Sequence, residues 1–336
     1  MILVTGGSGL VGSHLLFDLI NSGKKVRVLK REKTSIDLVK KIFAYYTPNS
    51  ASLLDSIEWV TGDITDIYSL YDVLDGVDYV YHTAGFVSFN SSDKQEIMKV
   101  NATGTANVVN ACLHKNVKKL CHVSSIATLG RENNNGIMNE ETHWISSNKN
   151  SVYAVSKYNA EREVWRGTAE GLPAVIINPS IIIGPGNWDK GSSQLFKQVW
   201  DGLKFYTHGV NGYVDVRDVS KCMIQLMNHP IENSNFIVSS ENIDYFTLFS
   251  MIAKNLNKKA PSIKVTSFLS EIAWRTEKAK FLLTGKAPLI TEETARTAFQ
   301  KYYFSNEKIK KILDFEFIPI SESIHQTSRF FLRELA

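Results

Sequence analysis

The sequence predicts an α/β fold, a doubly wound parallel sheet followed by a smaller, mostly helical C-terminal lobe. Three observations carry that prediction. Short apolar runs alternate with helix-length amphipathic stretches up to Asn178. A glycine-rich turn joins the first run to the first amphipathic stretch. After Asn178 the rhythm breaks, where Pro179, Gly184, Pro185, Gly186 and Gly191 crowd into a loop-rich passage.

Taken in order, Ile2 to Thr5, Lys25 to Leu29, Ile57 to Thr61, Val77 to His82, Lys119 to Ser124 and Ala174 to Asn178 read as buried strands. Helical spacing between them makes the connections right-handed crossovers, which places ligands at the carboxyl ends of the strands. Ile36, Val39, Ile42, Phe43 and Tyr46 mark an extra surface helix before Pro48. Tyr213 to Met227 reads as a strand and helix returning to the main sheet, and the chain from Tyr245 onward is mostly helical. The dinucleotide-binding unit is therefore expected over 1–178, with 213–240 returning to it. The substrate lobe is expected over 179–212 and 241–336.

Thr5-Gly6-Gly7-Ser8-Gly9-Leu10-Val11-Gly12 lies between the first strand and a helix through Leu15, Leu16, Leu19 and Ile20. In such a turn Gly6 permits the tight bend, Gly9 lets the backbone approach a pyrophosphate, and Gly12 lets the helix pack closely on the strand. The helix N-terminus then offers unpaired N–H groups and a positive dipole end to the phosphates. The motif alone is weak, but its place inside a βαβ unit makes it a dinucleotide site. The end of the second strand, about 20 residues further on, lies beside the adenine ribose. This chain has Lys30 and Arg31 there where an NAD site usually has an acid, which favours the 2′-phosphate of NADP(H) over NAD(H). Glu32 weakens that preference, and both cations could instead be solvated. Gly62-Asp63-Ile64 follows the third strand, where Asp63 could bind the adenine amino group or cap the next helix, although Thr65 and Asp66 are better placed for capping.

Tyr153-Ala154-Val155-Ser156-Lys157 opens a helix over Val152 to Thr168, with Glu161 and Glu163 expected on its outer side. Tyr153 and Lys157, four apart, share a face. A phenol with an unperturbed pKa near ~10 is a poor acid at neutral pH, and an ammonium one turn away is expected to lower it. Tyr153 would then pass a proton to or from a substrate oxygen, while Lys157 also holds the nicotinamide ribose. Ser124 and Ser125 end the fifth strand, and either hydroxyl could orient the reacting oxygen.

The chain resembles the extended short-chain dehydrogenases/reductases, the NAD-dependent epimerase/dehydratase superfamily built on a Rossmann sheet. The resemblance runs nearly end to end. Beyond the segments above it takes in His82-Thr83-Ala84-Gly85, Val100-Asn101-Ala102-Thr103-Gly104-Thr105, Val123-Ser124-Ser125, Asn178-Pro179-Ser180 and Val214-Asp215-Val216-Arg217-Asp218-Val219. It implies a catalytic Ser125, Tyr153 and Lys157, with Ser125 four residues before Leu129, where a Tyr usually stands. It also implies that Ala84, Gly85 and Asn101 line the cofactor channel and that Pro179 and Ser180 flank the nicotinamide. Val26-Arg27-Val28-Leu29-Lys30-Arg31, the lack of a cation at Asn211, and Thr284 to Thr291 are similar to the dihydroflavonol-reductase-like branch rather than to nucleotide-sugar epimerases.

The expected activity is thus NAD(P)(H)-dependent reduction of a carbonyl, or oxidation of an alcohol, on a small organic substrate. Alternatives are a nucleotide-sugar epimerase/dehydratase with retained NAD and, in a different class, a non-catalytic dinucleotide sensor. Phe86, Val87, Phe89, Trp188, Phe196 and Tyr213 could wall an apolar pocket or serve as core, with Phe86, Ser125 and Trp188 the pocket candidates. His82 reads as structural.

Composition sets the remaining bounds. At 336 residues, 43% hydrophobic and 21% charged, the chain has the make-up of an ordinary globular protein with room for a large core. A net charge of +4 on scattered Lys and Arg disfavours nucleic acid. Cys112, Cys121 and Cys222 form no CxxC pair and have no His at zinc spacing, so a reduced cytoplasmic protein without a metal site is expected. Neither a signal segment nor a run of 18 apolar residues is present, which predicts no membrane span. Phe268 to Leu283, interrupted by Glu271, Arg275, Glu277, Lys278 and Lys280, is expected as a lid or packing helix rather than a surface anchor. The resemblance allows a monomer or a homodimer.

Overall fold

The computed structural model describes residues 1–88, 91–130, 136–148, 150–267, 269–272, 274–276 and 292–335. Phe89, most of the stretch Phe268 to Leu283, and Thr284 to Thr291 lie outside them.

Alternation with a period of two builds the central sheet. Leu3 faces one hydrophobic core and Val4 the other, as neighbouring residues on a strand covered on both sides must. The seven strands are β1 (Ile2–Thr5), β2 (Val26–Lys30), β3 (Glu58–Thr61), β4 (Tyr79–His82), β5 (Lys119–Val123), β6 (Ala174–Pro179) and β7 (Ser234–Val238). They pair in the order β7-β6-β5-β4-β1-β2-β3, all parallel. The chain winds outward from β1 to β3 and then restarts at β4 on the other side of β1. The crevice between the carboxyl ends of β1 and β4 is therefore the switch point where an open α/β sheet receives its ligand.

One face is covered by helices Leu10–Asn21 and Val216–Asn228, whose Leu15, Leu16, Leu19, Met223 and Leu226 pack on Val4, Val28, Tyr81 and Val175. The other face is covered by Ile67–Val73, Gly104–His114 and Val152–Ala169, through Leu70, Val108, Val109 and Val164 on Leu3, Val80, Leu120 and Ile176. The extra helix predicted before Pro48 is Asp37–Tyr46, followed by a short one at Ser50–Asp55.

Only part of the predicted return to the main sheet holds. The strand Val210–Asp215 pairs with Ile181–Ile183 and Glu241–Asp244 in a separate three-stranded sheet. The helix Val216–Asn228 and β7 are the parts that rejoin the main sheet. The cause is local: after β6 the chain continues directly into Ile181–Ile183, which offers Tyr213 a parallel partner at Ile181. The second lobe forms its own core from Ile183, Phe196, Tyr213, Leu248, Ile252, Ile324 and Phe331. Phe196 and Tyr213 are thus core rather than pocket. All three cysteines are buried free thiols.

Candidate active site

The Gly-rich turn has the geometry of a phosphate cradle. Gly6 lies in the left-handed region at φ +72°, and a Cβ there would fall 2.4 Å from the Ala84 nitrogen across the switch point. A Cβ on Gly12 would fall 2.2 Å from the Gly6 carbonyl oxygen, so only glycine lets the helix start this close to β1. At Gly9 the added atom would meet only that carbonyl, at 3.3 Å, leaving its outer side open. Helix Leu10–Asn21 begins at Gly9 without a side-chain cap and with no acid in its first turn. The N–H groups of Leu10, Val11 and Gly12 accordingly have no intrahelical acceptor and sit at the positive end of the dipole. These residues, with Ser8 beside them, fit a dinucleotide pyrophosphate.

At the next strand end, Lys30 closes β2 half-buried and Arg31 is exposed. Among the described residues neither takes part in an ion pair. Asp63 accepts hydrogen bonds at Oδ1 from the Thr65 N–H (2.8 Å) and hydroxyl (2.9 Å), forming a turn, while Asp66 caps helix Ile67–Val73. Ile64 is buried under Gly104.

Ala84 and Gly85 follow β4 into the crevice, and Asn101 fixes the backbone beyond them. Its Oδ1 accepts from the Phe86 N–H at 2.7 Å, and its Nδ2 donates to the Phe86 carbonyl at 3.0 Å and to the Ser156 hydroxyl at 2.9 Å. Asn101 stands on a π-helical turn, Lys99–Thr103. Such turns hold one extra residue and often mark functional positions. Ser156 in turn donates to the Tyr153 carbonyl at 2.7 Å. His82 is structural: its ring nitrogens meet the Thr5 and Thr105 hydroxyls at 2.7 and 2.9 Å, and burial lowers it to about 3.

Helix Val152–Ala169 is capped by Ser151, whose hydroxyl accepts from the Ala154 N–H at 2.9 Å. The cap sets Tyr153 in the first turn, facing the end of β5. The two serines there have different partners. Ser125 is hydrogen-bonded to Tyr153, while Ser124 donates to Glu161 Oε2 at 2.5 Å. Lys157 is buried and donates to the Val123 carbonyl at 2.8 Å, which leaves two of its three protons for other partners.

The lowering of the Tyr153 phenol expected from Lys157 is not what this arrangement produces. Burial pushes the phenol above its ordinary value, and the Ser125 hydrogen bond offsets that only in part. Burial instead lowers Lys157 to about 8, against the opposing field of Glu161.

Glu161 itself requires a second correction. It is 8% exposed rather than on the outer side, because positions 153, 157 and 161 repeat every four residues and follow one helix face. Its Oε2 also accepts from Thr128 Oγ1 and Asn178 Nδ2, each at 2.9 Å. Asn178 further donates to the Ser125 carbonyl at 3.2 Å. Glu161, Thr128 and the side-chain role of Asn178 escaped the sequence reading, although that four-residue spacing was available to reveal Glu161.

Pro179 ends β6, and Ser180 is buried with its N–H on the Val238 carbonyl at 3.1 Å. Phe86 is half-buried beside Asn101. Trp188, a candidate for pocket wall or for core, packs edge-on against Phe196 and Phe331, lies under Lys41 and donates its indole N–H to Glu334 at 2.9 Å. Its surroundings are the second-lobe core, because the loop after β6 swings it onto the C-terminal helix Ile320–Leu335.

Among the described residues no cluster of His, Cys, Asp or Glu could hold a metal ion, and no helix is long and apolar enough to cross a membrane.

Known proteins share both sequence and fold. Sterol demethylase protein B of Methylococcus capsulatus is 30% identical over 246 residues, 71% of this chain and 70% of that protein. A putative dihydroflavonol 4-reductase of Synechocystis is 26% identical over 98% of this chain and 93% of its own length. The crystal structure of gox2253 superposes with a TM-score of 0.82 at 27% identity, covering 99% of this chain and 98% of that one. The model of the NAD dependent epimerase/dehydratase family matches residues 2–238. With named reductases and dehydrogenases among its relatives, the chain is an NAD(P)-dependent oxidoreductase and belongs to the NAD dependent epimerase/dehydratase family.

Proposed function

We propose that this enzyme uses NADP(H) to reduce a carbonyl on an apolar, polycyclic substrate, the chemistry suggested by relatives named for dihydroflavonols and sterols. The observation that carries the reading is the Ser125–Tyr153 hydrogen bond at the carboxyl edge of the sheet, one helical turn from a buried Lys157. When bound, the dinucleotide supplies the hydride. Ser125 and Tyr153 hold the substrate oxygen between their hydroxyls, and the Tyr153 phenol gives its proton to that oxygen as negative charge develops there. The raised phenol suits a donor that keeps its proton until then. The Lys157 charge stabilises the phenolate left behind. Lys30 and Arg31 support the choice of NADP(H), as two cations where the adenine ribose of a dinucleotide would lie.

The test is NADPH oxidation with dihydroflavonols and 3-keto steroids, by the parent and by Tyr153→Phe. Loss of turnover by about 10²–10⁴-fold, with NADPH affinity retained, is the expected result. Full activity in the variant would sink the mechanism, and NAD retained through purification without net turnover would favour an epimerase.

A further inference from the structure

We propose that Glu161 is a positioning residue of this active site: its buried carboxylate ties the Ser125 turn to the helix carrying Tyr153 and Lys157, and supplies the counter-charge to Lys157. The inference rests on the catalytic roles proposed above for Ser125, Tyr153 and Lys157.

A buried carboxylate needs several donors to remain ionised. Glu161 Oε2 has three, each from a different segment. Ser124 donates from the residue after β5 (2.5 Å), Thr128 from the turn Ile126–Thr128 (2.9 Å) and Asn178 from β6 (2.9 Å). Trp165 Nε1 approaches Oε1 at 3.4 Å from the same helix. Ser125 lies between two of these donors in sequence, and Asn178 holds its carbonyl as well. The carboxylate thereby restrains the segment that carries the Ser125 hydroxyl from both sides. Ser125 also caps the following turn, accepting from the Ala127 N–H at 3.1 Å.

The second role follows from charge. His82 on β4 and His122 on β5 face Lys157 from the sheet, and burial holds both neutral, His82 at about 3 and His122 well below its ordinary value. Tyr153 faces it from the same helix and keeps its proton. Among the described residues Glu161 is the acid whose field opposes the desolvation of the ammonium. Its negative charge keeps Lys157 protonated near neutrality. Without it the ammonium would lose its proton at lower pH, and the phenolate left on Tyr153 after proton transfer would lose its counter-charge.

The experiment compares the parent with Glu161→Gln and Glu161→Asp, all as full chains. The pH dependence of kcat is read beside a substrate-free titration of Lys157 by NMR of 15N-lysine-labelled protein. In the parent the alkaline limb of carbonyl reduction should follow Lys157 near pH 8. In Glu161→Gln both the limb and the NMR titration should move down by about one pH unit, with a roughly 5-fold loss of kcat at pH 8. Glu161→Asp keeps the charge on a shorter arm. It should leave the Lys157 titration within about half a unit of the parent while losing kcat several-fold through the loosened Ser125 turn.

A Glu161→Gln protein with an unmoved Lys157 titration overturns the charge role. A fully active Glu161→Asp protein overturns the positioning role and remains informative if Glu161→Gln does not fold. Failure of the proposed reaction itself would appear as turnover surviving in Tyr153→Phe, whereas the NMR titration needs no substrate.

Discussion

The carboxyl edge of the parallel sheet and the second lobe solve opposite problems. The edge works through main chain: Gly6, Gly9 and Gly12 carry no side chain, which leaves N–H groups and an uncapped helix end open at the crevice, as the proposed anion site requires. The lobe works through bulk, with Phe196, Tyr213, Trp188 and Phe331 gathered from distant segments into one core. A main-chain site tolerates almost no added atom but needs few partners, whereas a side-chain core tolerates exchange but depends on everything around it. Mutations should therefore separate the two regions cleanly.

The largest effect is expected at the edge. Gly12→Val puts branched carbon 2.2 Å from the Gly6 oxygen and should cost at least about 100-fold in dinucleotide affinity, or prevent folding, as measured by fluorescence titration and thermal melting. A variant that binds normally would break the comparison.

A smaller and more selective effect is expected at Lys30 and Arg31, where the proposal puts the adenosine. Replacing Lys30 and Arg31 together by Ala should weaken NADPH by about 10–100-fold while changing NADH by less than about 2-fold, because only the 2′-phosphate loses charge-assisted hydrogen bonds. Equal losses for both dinucleotides would remove the support for an NADP(H) preference.

The smallest functional effect is expected in the lobe. Trp188→Ala should lower stability by about 2–3 kcal/mol, below the range for a fully buried Trp because the ring is half-exposed, and leave dinucleotide affinity unchanged. If affinity falls with stability, the two regions are coupled more tightly than their separate cores imply.

The same contrast governs what could be read from the sequence. The edge was legible because its determinants are local: the glycines, the strand ends and the Tyr153–Lys157 spacing each lie within one turn or one strand. The lobe was less so. The strand Val210–Asp215 shows the same apolar pattern whichever sheet receives it, and only its pairing with Ile181–Ile183 decides. Trp188 is aromatic in a loop after a strand, which fits a pocket or a core equally well until Glu334, far along the chain, claims its N–H. Glu161 was missed for a different reason. A charged residue is ordinarily on the outer side of a helix, and that expectation displaced the helical spacing that places it inward.

The π-helical turn at Lys99–Thr103 bears on chain length as well as on geometry. A single deletion there would close the bulge into regular α-helical winding and remove the local backbone path that presents Asn101. Asn101 would then lose either Phe86 or Ser156, since its amide holds both at once. Insertions and deletions that surface loops absorb without consequence are thus forbidden in this short helical segment, and the spacing between Asn101 and Gly104 is fixed by the crevice it serves.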